Sequence, residues 1–319
     1  MQLLKAYDSI AQELEEVREI FEGELTCDIP FIADIVEQVN KFRGKLLRPI
    51  LVLLCGKACG LITQEHRVIA TVAELVHMAT LIHDDVLDGA QRRRRGVTIN
   101  ALHGNEAAVM LGDMFISHAF HLCSSLDSQL TSRLIAATTN TVCEGELMQL
   151  YYRGYYELTE EQYLEIIARK TASLTATCCY LGGQAARAEE KVCRALEKYG
   201  QEIGMAFQIM DDITDLTGDE KKTGKTLRTD LLKEKLTLPV IHFFKNGPEA
   251  DRRWACEVLQ QRQQQEYRAL VQRLEEQGSM AYARRRAGEF VARAQAALSE
   301  PLEGRTRDIL RELADSLVD

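Results

Sequence analysis

Two groups of aspartates with the spacing Asp-Asp-x-x-Asp are the residues of this chain best suited to chemistry. The groups are Asp84, Asp85 and Asp88, and Asp211, Asp212 and Asp215. Helical residues four apart share a face, so the first and last carboxylates of each group repel one another. Mg²⁺ prefers oxygen ligands and removes that cost, commonly together with substrate phosphates. One such group in an acidic protein fits a solvated helix end equally well, but two groups predict a magnesium site.

Both groups lie in stretches with the periodicity of long amphipathic helices. No glycine or proline interrupts residues 61–88, where an apolar stripe that includes Ala79 recurs at spacings of three and four. The other stripe carries His77, Thr80 and the aspartates, and Gln208 aligns with the second group in the same manner. Two helices are therefore predicted to present carboxylates across a shared cavity.

The length and composition of the chain predict one all-α domain. The sequence has 319 residues with only five prolines and twenty glycines, and apolar residues recur at helical spacing throughout. No linker, charge block or internal repeat divides it. Residues 1–319 are therefore predicted to form a single-domain bundle of long helices. The charged helices of residues 249–319 carry no function that their sequence indicates.

Charge and cysteine content restrict the partners and the compartment. A net charge of −9 argues against a general nucleic-acid binder. The nine cysteines are odd in number and lack a CxxC pair, which is typical of reduced thiols in the cytoplasm. The N-terminus lacks the features of a signal peptide, and the most apolar segment, residues 46–62, is too short and too charged to span a bilayer. A cytoplasmic protein without a transmembrane segment is expected.

Basic residues accompany the aspartates along the chain. Lys45 and Arg48 flank a glycine-containing turn before an apolar helix, and four arginines occupy residues 92–95. Lys170, followed by Thr171, lies inside an apolar helix, where a buried ammonium must be paired. The exposed clusters fit a solvated surface. They fit equally a clamp for diphosphate, which needs metal on one side and cations on the other.

The order of these motifs resembles that of the trans-type polyprenyl diphosphate synthases, which condense isopentenyl diphosphate onto an allylic diphosphate. The resemblance covers residues 40–242 and rests on Gly-Lys-x-x-Arg-Pro at 44–49, Asp-Asp-x-x-Asp at 84–88, Lys-Thr at 170–171, Gln-x-x-Asp-Asp-x-x-Asp at 208–215, and Lys225 and Lys235. It implies the all-α isoprenoid synthase fold with a central cavity, usually in a homodimer. It also implies isoprenoid diphosphates as substrates and three Mg²⁺ ions per active site.

The resemblance assigns roles to individual residues. It places isopentenyl diphosphate on Lys45, Arg48, His77 and Arg94. It places the allylic diphosphate on Arg93, Lys170, Lys225 and Lys235. The implied metal residues are Asp84, Asp85, Asp88, Asp211, Asp212 and Asp215, the last two acting through water. Thr171 and Gln208 line the reacting centre, so the implied catalytic residues are Lys170, Thr171, Gln208, Lys225 and Lys235.

Three positions depart from the family's pattern. The family usually has glycine where this chain has Arg43, Arg95 and Arg228. None of these changes removes a ligand. Because Arg95 extends the run of arginines, the register of the two functional arginines after the first motif is open by one position. Extra cations near the cavity mouth also bear on which substrate is chosen.

The implied chemistry begins with ionisation of the allylic carbon–oxygen bond, so negative charge develops on the departing diphosphate. Two other functions stay open. A class I terpene cyclase ionises the same kind of substrate, but usually carries an Asn/Ser/Glu motif in place of the second aspartate group. A regulatory subunit of a heteromeric synthase commonly lacks the aspartates, whereas all six are present here.

Small residues before the first aspartates predict a long product. In the family, bulky aromatics four or five residues before the first aspartate stop elongation early, and these positions here are Thr80 and Ala79, with Val76 and Ala73 on the next turns. Each turn rises about 5.4 Å, room for roughly one five-carbon unit. Residues 77–83 also look like those of hepta- and octaprenyl synthases, so a product of C30 or more is predicted. The alternative is a C15–C20 product, with the cavity closed by Met114, Phe115 or Phe120.

Overall fold

The predicted helical architecture is confirmed. The computed structural model of the protein describes residues 7–40, 44, 46–93, 96–218, 227–298, 302 and 304–318. Its first eight α-helices are α1 (Ala11–Glu24), α2 (Pro30–Asn40), α3 (Leu47–Ala58), α4 (Gln64–Leu87), α5 (Ile99–His103), α6 (Asn105–Ser124), α7 (Gln129–Tyr151) and α8 (Glu160–Ile167). The later ones are α9 (Ser173–Ala185), α10 (Glu190–Thr217), α11 (Thr229–Leu232), α12 (Leu238–Asn246), α13 (Glu249–Gln260), α14 (Tyr267–Glu276), α15 (Ser279–Ala297) and α16 (Arg305–Asp315).

Short elements connect some of these helices. The strands β1 (Arg92–Arg93) and β2 (Gly96–Val97) pair antiparallel just after α4. A π-helical turn at Ala168–Ala172 joins α8 to α9, and a 3₁₀ turn at Gln264–Glu266 precedes α14. Single π-helical turns within longer helices are frequent at functional sites. This one carries Lys170.

Helix α4 carries the first aspartate group, and its start is fixed to α9. The backbone N–H of Thr63 donates to Nδ1 of His66 at 3.0 Å. Nε2 of the same imidazole lies 2.9 Å from the carbonyl oxygen of Gly182. Burial lowers the pKa of His66, which favours the neutral ring that this pairing requires. The buried stripe predicted for this helix is confirmed at Ala79, whose exposed fraction is 0%.

Helices α9 and α10 approach closely through a glycine of α10. A Cβ added at Gly204 would lie 2.3 Å from Oγ1 of Thr175 and 2.6 Å from Cα of Ala172. Only glycine therefore permits this approach, which brings α10 against the π-helical turn. As a consequence, Gln208, one turn further along α10, lies within hydrogen-bonding distance of Thr171.

The C-terminal helices pack on the core. Helix α15 lies along α10 and against α12, and α16 contacts α15 and α3. The hydroxyl of the buried Tyr199 donates to the carbonyl oxygen of Leu310 at 2.7 Å, which ties α10 to α16. Helices α15 and α16 thus cover the helix that carries the second aspartate group. That residues 1–319 form one domain stays a prediction.

One helix among the described residues, α6, has the length and apolar composition of a membrane-spanning segment. Within the most apolar 18-residue stretch of this helix, 33% of the residues are buried in the fold. A core helix of a soluble protein meets the same criterion, so this single helix is weak evidence for a membrane span. The expected absence of a transmembrane segment stays a prediction.

Candidate active site

Asp85, in the first aspartate group, is paired with an arginine from the adjacent strand. Nε of Arg93 lies 3.0 Å from both carboxylate oxygens, and Nη2 lies 2.8 Å from Oδ1. Gly89, with φ at 57°, turns the chain directly after α4 and brings β1 back toward the aspartates. Burial raises the pKa of the Asp85 carboxyl, and the Arg93 guanidinium opposes that shift.

Asp84 shares the ammonium of Lys170 with an acidic residue of α7. Nζ of Lys170 lies 3.4 Å from Oδ2 of Asp84 and also contacts Oε2 of Glu146. The π-helical turn lies against α7 at Gly145, where an added Cβ would be 2.5 Å from the backbone nitrogen of Lys170. Burial lowers the pKa of Lys170, but the two carboxylates outweigh burial and raise it above its ordinary value. Lys170 therefore stays a cation in the cavity.

Asp88 is surrounded by three cationic side chains. Nη2 of Arg153 and Nζ of Lys235 lie 3.0 Å from Oδ1, and Nζ of Lys233 lies 3.1 Å from Oδ2. Burial raises the pKa of Asp88, but Lys235 and Lys233 outweigh that effect and lower it below its ordinary value. Of these three cations, only Lys235 was predicted from the sequence.

Gln149 of α7 connects the cations of two aspartates. In the amide orientation that satisfies both lysines, Oε1 of Gln149 accepts from Nζ of Lys170 and Nζ of Lys235, each at 3.2 Å. Lys170 faces Asp84, and Lys235 faces Asp88. Helix α4, helix α7, the π-helical turn and the loop before α12 thus meet at one place.

Asp212 is buried in a chain of hydrogen-bonded side chains. It accepts from the hydroxyl of Tyr163 at 2.6 Å and from Nε2 of Gln208 at 2.8 Å. The hydroxyl of Thr171 donates to Oε1 of Gln208 at 2.7 Å. Burial and then the charge of Asp230 raise the pKa of Asp212 well above its ordinary value, and the Tyr163 and Gln208 hydrogen bonds oppose them. This chain fixes the orientation of Gln208 and Thr171.

A further carboxylate, Asp230, joins the second aspartate group. Its backbone N–H donates to Oδ2 of Asp215 at 3.2 Å, and the hydroxyl of Thr229 donates to Oδ1 at 3.0 Å. Burial, followed by the charge of Asp215, raises the pKa of Asp230 to about 7, and the charges of Asp211 and Asp88 add to it. The backbone N–H of Lys235 donates to the carbonyl oxygen of Asp230 at 2.9 Å, and Nζ of Lys235 contacts Asp88, so this lysine links the two groups.

Arg228 begins the turn that presents Asp230. Its φ of 60° lies in the left-handed region, and its N–H donates to the carbonyl oxygen of Asp215 at 2.8 Å. This backbone conformation favours glycine, the residue that the family usually has here. Arginine adopts it at a cost of about 1–2 kcal/mol.

The donor set fits a divalent cation that substrate phosphates complete. None of the His, Cys, Asp and Glu side chains in the described segments form a group of three or more that is already placed to hold a metal ion. Mg²⁺ is typically bound by one or two carboxylates together with phosphates and waters, so such a group is not required. Burial raises the pKa of Asp215, and repulsion from Asp211 contributes. A bound cation relieves both effects.

The structure brings together most of the predicted site residues that it describes. Lys45, Arg94 and Lys225, with Arg43 and Arg95, lie outside the described residues. Arg48 lies in the first turn of α3 and His77 on the aspartate face of α4, both partly exposed. The cavity residues that sequence reasoning missed are Glu146, Gln149, Arg153, Tyr163, Asp230 and Lys233. Polar residues three apart share a helix face. This spacing, at the end of α7, is the sequence signal that could have identified Glu146 and Gln149.

A family model described as Polyprenyl synthetase matches residues 29–274 of this chain. The chain belongs to the polyprenyl synthetase family. The matched segment contains both aspartate groups and every cavity residue described above. The resemblance predicted from the motifs is confirmed, and the chain is a trans-polyprenyl diphosphate synthase. The family generally uses Mg²⁺.

Relatives that are named for products of different lengths share nearly the same sequence identity with this chain. The octaprenyl diphosphate synthase of Escherichia coli (strain K12) is 32% identical over 299 residues, 93% of each chain. Component 2 of the heptaprenyl diphosphate synthase of Bacillus subtilis (strain 168) is 34% identical over 246 residues, 77% of this chain and 71% of its own. A geranylgeranyl diphosphate synthase of Methanosarcina mazei is 31% identical over 86% of this chain and 85% of its own.

A solved structure of the family shares the whole fold. The polyprenyl synthase from Caulobacter crescentus CB15, solved with calcium and isoprenyl diphosphate, superposes with a TM-score of 0.95 at 27% identity. The match covers 99% of this chain and 97% of the Caulobacter chain. The predicted isoprenoid synthase fold is thereby confirmed.

Proposed function

We propose that the protein lengthens an allylic diphosphate (geranyl, farnesyl or geranylgeranyl) with isopentenyl diphosphate to an all-trans polyprenyl diphosphate of C30 or more. The observation that carries this proposal is the convergence of carboxylates and cations from α4, α7, the π-helical turn, α10 and the loop before α12. Carboxylates suit Mg²⁺, and cations suit a diphosphate. A cavity with both suits a reaction in which diphosphate departs as an anion.

The basic residues of the first group are proposed to stabilise the leaving diphosphate. Lys170, Lys235 and Arg93 each contact a different carboxylate of the first aspartate group in the structure. Mg²⁺, when bound, supplies Lewis-acid stabilisation of the charge that develops on the diphosphate. The residues proposed to hold it, in three ions per site as in the family, are Asp84, Asp85, Asp88, Asp211, Asp212 and Asp215.

The hydrogen-bonded chain at Asp212 is proposed to protect the allylic cation. Because the Thr171 hydroxyl donates its proton to Gln208, the lone pairs of its oxygen remain to face a positive charge. Neither Thr171 nor the Gln208 amide is a strong nucleophile. The isopentenyl double bond then attacks the cation, and a proton passes to the released diphosphate. Arg48 and His77 are proposed to hold isopentenyl diphosphate, as the resemblance implies.

The helix face before the first aspartates supports a long product. Thr80 lies on the face of Asp84 and is partly exposed, whereas Ala79 is wholly buried by its neighbours. Thr80 is therefore the residue proposed to line the cavity, and Ala79 supports close helix packing. A threonine at this position leaves room where the family's bulky aromatics stop elongation.

The C15–C20 alternative requires Met114, Phe115 or Phe120 to close the cavity, and two of these side chains lie elsewhere. Phe115 is wholly buried against Phe21 of α1, with ring centroids 6.1 Å apart. Phe120 is 41% exposed on the outer face of α6. Both placements favour the long product over the C15–C20 alternative.

A homodimer is the proposed assembly. The adjacent helices α6 and α7 expose the apolar side chains of Val109, Met110, Phe120, Leu130 and Leu147. Monomeric proteins rarely leave large apolar patches in water, and a two-fold dimer buries the same patch of both copies. Light scattering coupled to gel filtration measures the assembly mass.

A cytoplasmic location is also proposed. All nine cysteines are free thiols, which supports a reducing compartment.

Product sizing tests the proposed function. The purified protein is incubated with Mg²⁺, farnesyl diphosphate and labelled isopentenyl diphosphate, and the dephosphorylated products are separated by length. A main product of C30 or more supports the proposal, and a main product of C15–C20 contradicts the length. A cyclic hydrocarbon would favour the terpene cyclase. Turnover that requires a second protein would favour a subunit of a heteromeric synthase.

A further inference from the structure

Three positive charges share the single carboxylate of Asp88. Arg153, Lys233 and Lys235 all lie within 3.1 Å of it. Their side chains are only 27%, 17% and 11% exposed, so solvent screens the excess charge only in part. Lys235 alone is enough to neutralise this carboxylate. The charge of Asp230 also acts on Lys233, but more weakly than that of Asp88 does. The two additional cations therefore indicate a site for an anion.

Arg153 has a buried donor that no described group accepts. Its Nη2 is bound to Asp88 at 3.0 Å, but its Nε is buried without a partner. A buried donor left unsatisfied costs about 1–3 kcal/mol, so such a group points to a ligand. A cavity of about 440 Å³ opens beside it, and its charged lining residues are Asp88, Arg153, Lys233, Glu234 and Arg262, the last two paired with each other.

A tight turn ties together the segments that carry these cations. Glu234, the neighbour of Lys233, has a left-handed φ of 55°. Its carboxylate accepts from the hydroxyl of Tyr156 at 3.1 Å and from Nη2 of Arg262 at 3.2 Å. Its carbonyl oxygen accepts from the backbone N–H of Gly154 at 3.0 Å. Strained positions held by surrounding contacts are found at ligand sites, and this one fixes Lys233 at the cavity.

We propose that Arg153 and Lys233 form an additional diphosphate subsite on the Asp88 side of the cavity, which holds the diphosphate as it leaves the allylic substrate. The proposal rests on the proposed function and adds two residues that the family resemblance does not assign. When the allylic carbon–oxygen bond breaks, both bonding electrons stay on the diphosphate oxygen, and the allyl group becomes the cation. The N–H groups of Arg153 and Lys233 that Asp88 does not use are placed to donate hydrogen bonds to that oxygen.

The competing explanation is that the two cations only neutralise Asp88. Calorimetric titration with inorganic diphosphate in EDTA separates the two explanations. Asp88→Asn releases the cations from their carboxylate and should tighten diphosphate binding several-fold. Adding Lys233→Gln or Arg153→Gln should cancel that gain, because one charge-assisted hydrogen bond is worth about tenfold in affinity.

Two controls accompany the titration. Lys198→Gln removes an exposed lysine of α10 that lies 3.8 Å from Glu202, and it should leave the gain of Asp88→Asn intact. Lys233→Arg keeps the charge and should retain most of the gain. Melting curves check that each variant is folded. Double variants that bind diphosphate as tightly as Asp88→Asn alone would overturn the subsite, as would unchanged affinity in Asp88→Asn.

Steady-state kinetics give a second readout. With Mg²⁺, Lys233→Gln should lower kcat/KM for the allylic substrate about tenfold, chiefly through kcat, and change KM for isopentenyl diphosphate less than about twofold. An unchanged kcat, or an equally large effect on KM for isopentenyl diphosphate, would count against the subsite. Since the titration needs no turnover, failure of the proposed function would leave its result standing. If the enzyme is active but neither substitution changes its affinity for diphosphate, the subsite is refuted and the proposed function is not.

Discussion

The buried carboxyl of Asp230 should make the metal-free protein less stable as pH rises. Burial and the charge of Asp215 raise its pKa from the ordinary value of 3.8 to about 7. The folded state therefore holds the proton more tightly than the unfolded state. The resulting stabilisation is fully present below pH 3.8 and is lost as pH rises through about 7. Asp230→Asn cannot ionise, so it removes this dependence.

The size of the effect follows from the pKa. At about pH 5.5 the folded-state carboxyl lies about 1.5 units below its pKa of about 7, and each unit is worth about 1.36 kcal/mol. Between about pH 5.5 and 8.5 the wild type should therefore lose about 2 kcal/mol more unfolding free energy than Asp230→Asn. Carboxylates far from Asp230 titrate alike in both proteins and cancel in this difference. The pKa of Asp212, which the charge of Asp230 raises, should fall in Asp230→Asn and so add to the difference.

Urea unfolding in EDTA, followed by circular dichroism at both pH values, measures the difference. Asp308→Asn is the matched control, because Asp308 is 56% exposed on α16, and it should follow the wild type. An identical pH dependence in the wild type and Asp230→Asn would refute the placement of Asp230 among buried, repelling carboxylates.

Three further substitutions test individual roles, by steady-state kinetics and product sizing. Arg48→Ala should raise KM for isopentenyl diphosphate about tenfold or more, the worth of a charge-assisted phosphate contact, with little effect on the allylic KM; equal effects would mean that the substrate sites are exchanged. Tyr163→Phe removes one of the two side-chain donors to Asp212 and should lower kcat about three- to tenfold with KM unchanged; an unchanged kcat would exclude a positioning role. Thr80→Phe should shift products to C15–C20, whereas Ala79→Phe, at a wholly buried position, should mainly lower the melting temperature. Unchanged products in Thr80→Phe would place the cavity floor elsewhere.

Helical periodicity was sufficient to predict the faces of α4 and α10, because it is a local property of the chain. It placed Thr80 with the aspartates and Ala79 in the buried stripe, and both placements are found in the structure. Sequence distance from the first aspartate selected both Thr80 and Ala79 as candidates to line the cavity. The helix face distinguishes them.

The partners of Asp88 could not be predicted in the same way. Arg153 follows α7 and Lys233 follows α11, so their meeting depends on how separate helices pack. The turns that present Lys233 and Asp230 contain Glu234 and Arg228 at positive φ, where a glycine would have signalled the conformation. The π-helical turn at Ala168–Ala172 also has no distinguishing sequence, since its residues are ordinary helix formers.

The central claim is that two aspartate groups act together on one leaving diphosphate. Release of inorganic diphosphate tests this claim most directly. With farnesyl diphosphate, isopentenyl diphosphate and Mg²⁺, the wild type should release one diphosphate for each isopentenyl unit incorporated, and EDTA should stop the release. Asp84→Ala and Asp211→Ala should each slow it about a hundredfold or more, while both variants stay folded. Release that continues in EDTA, or normal turnover in either variant, would contradict the account.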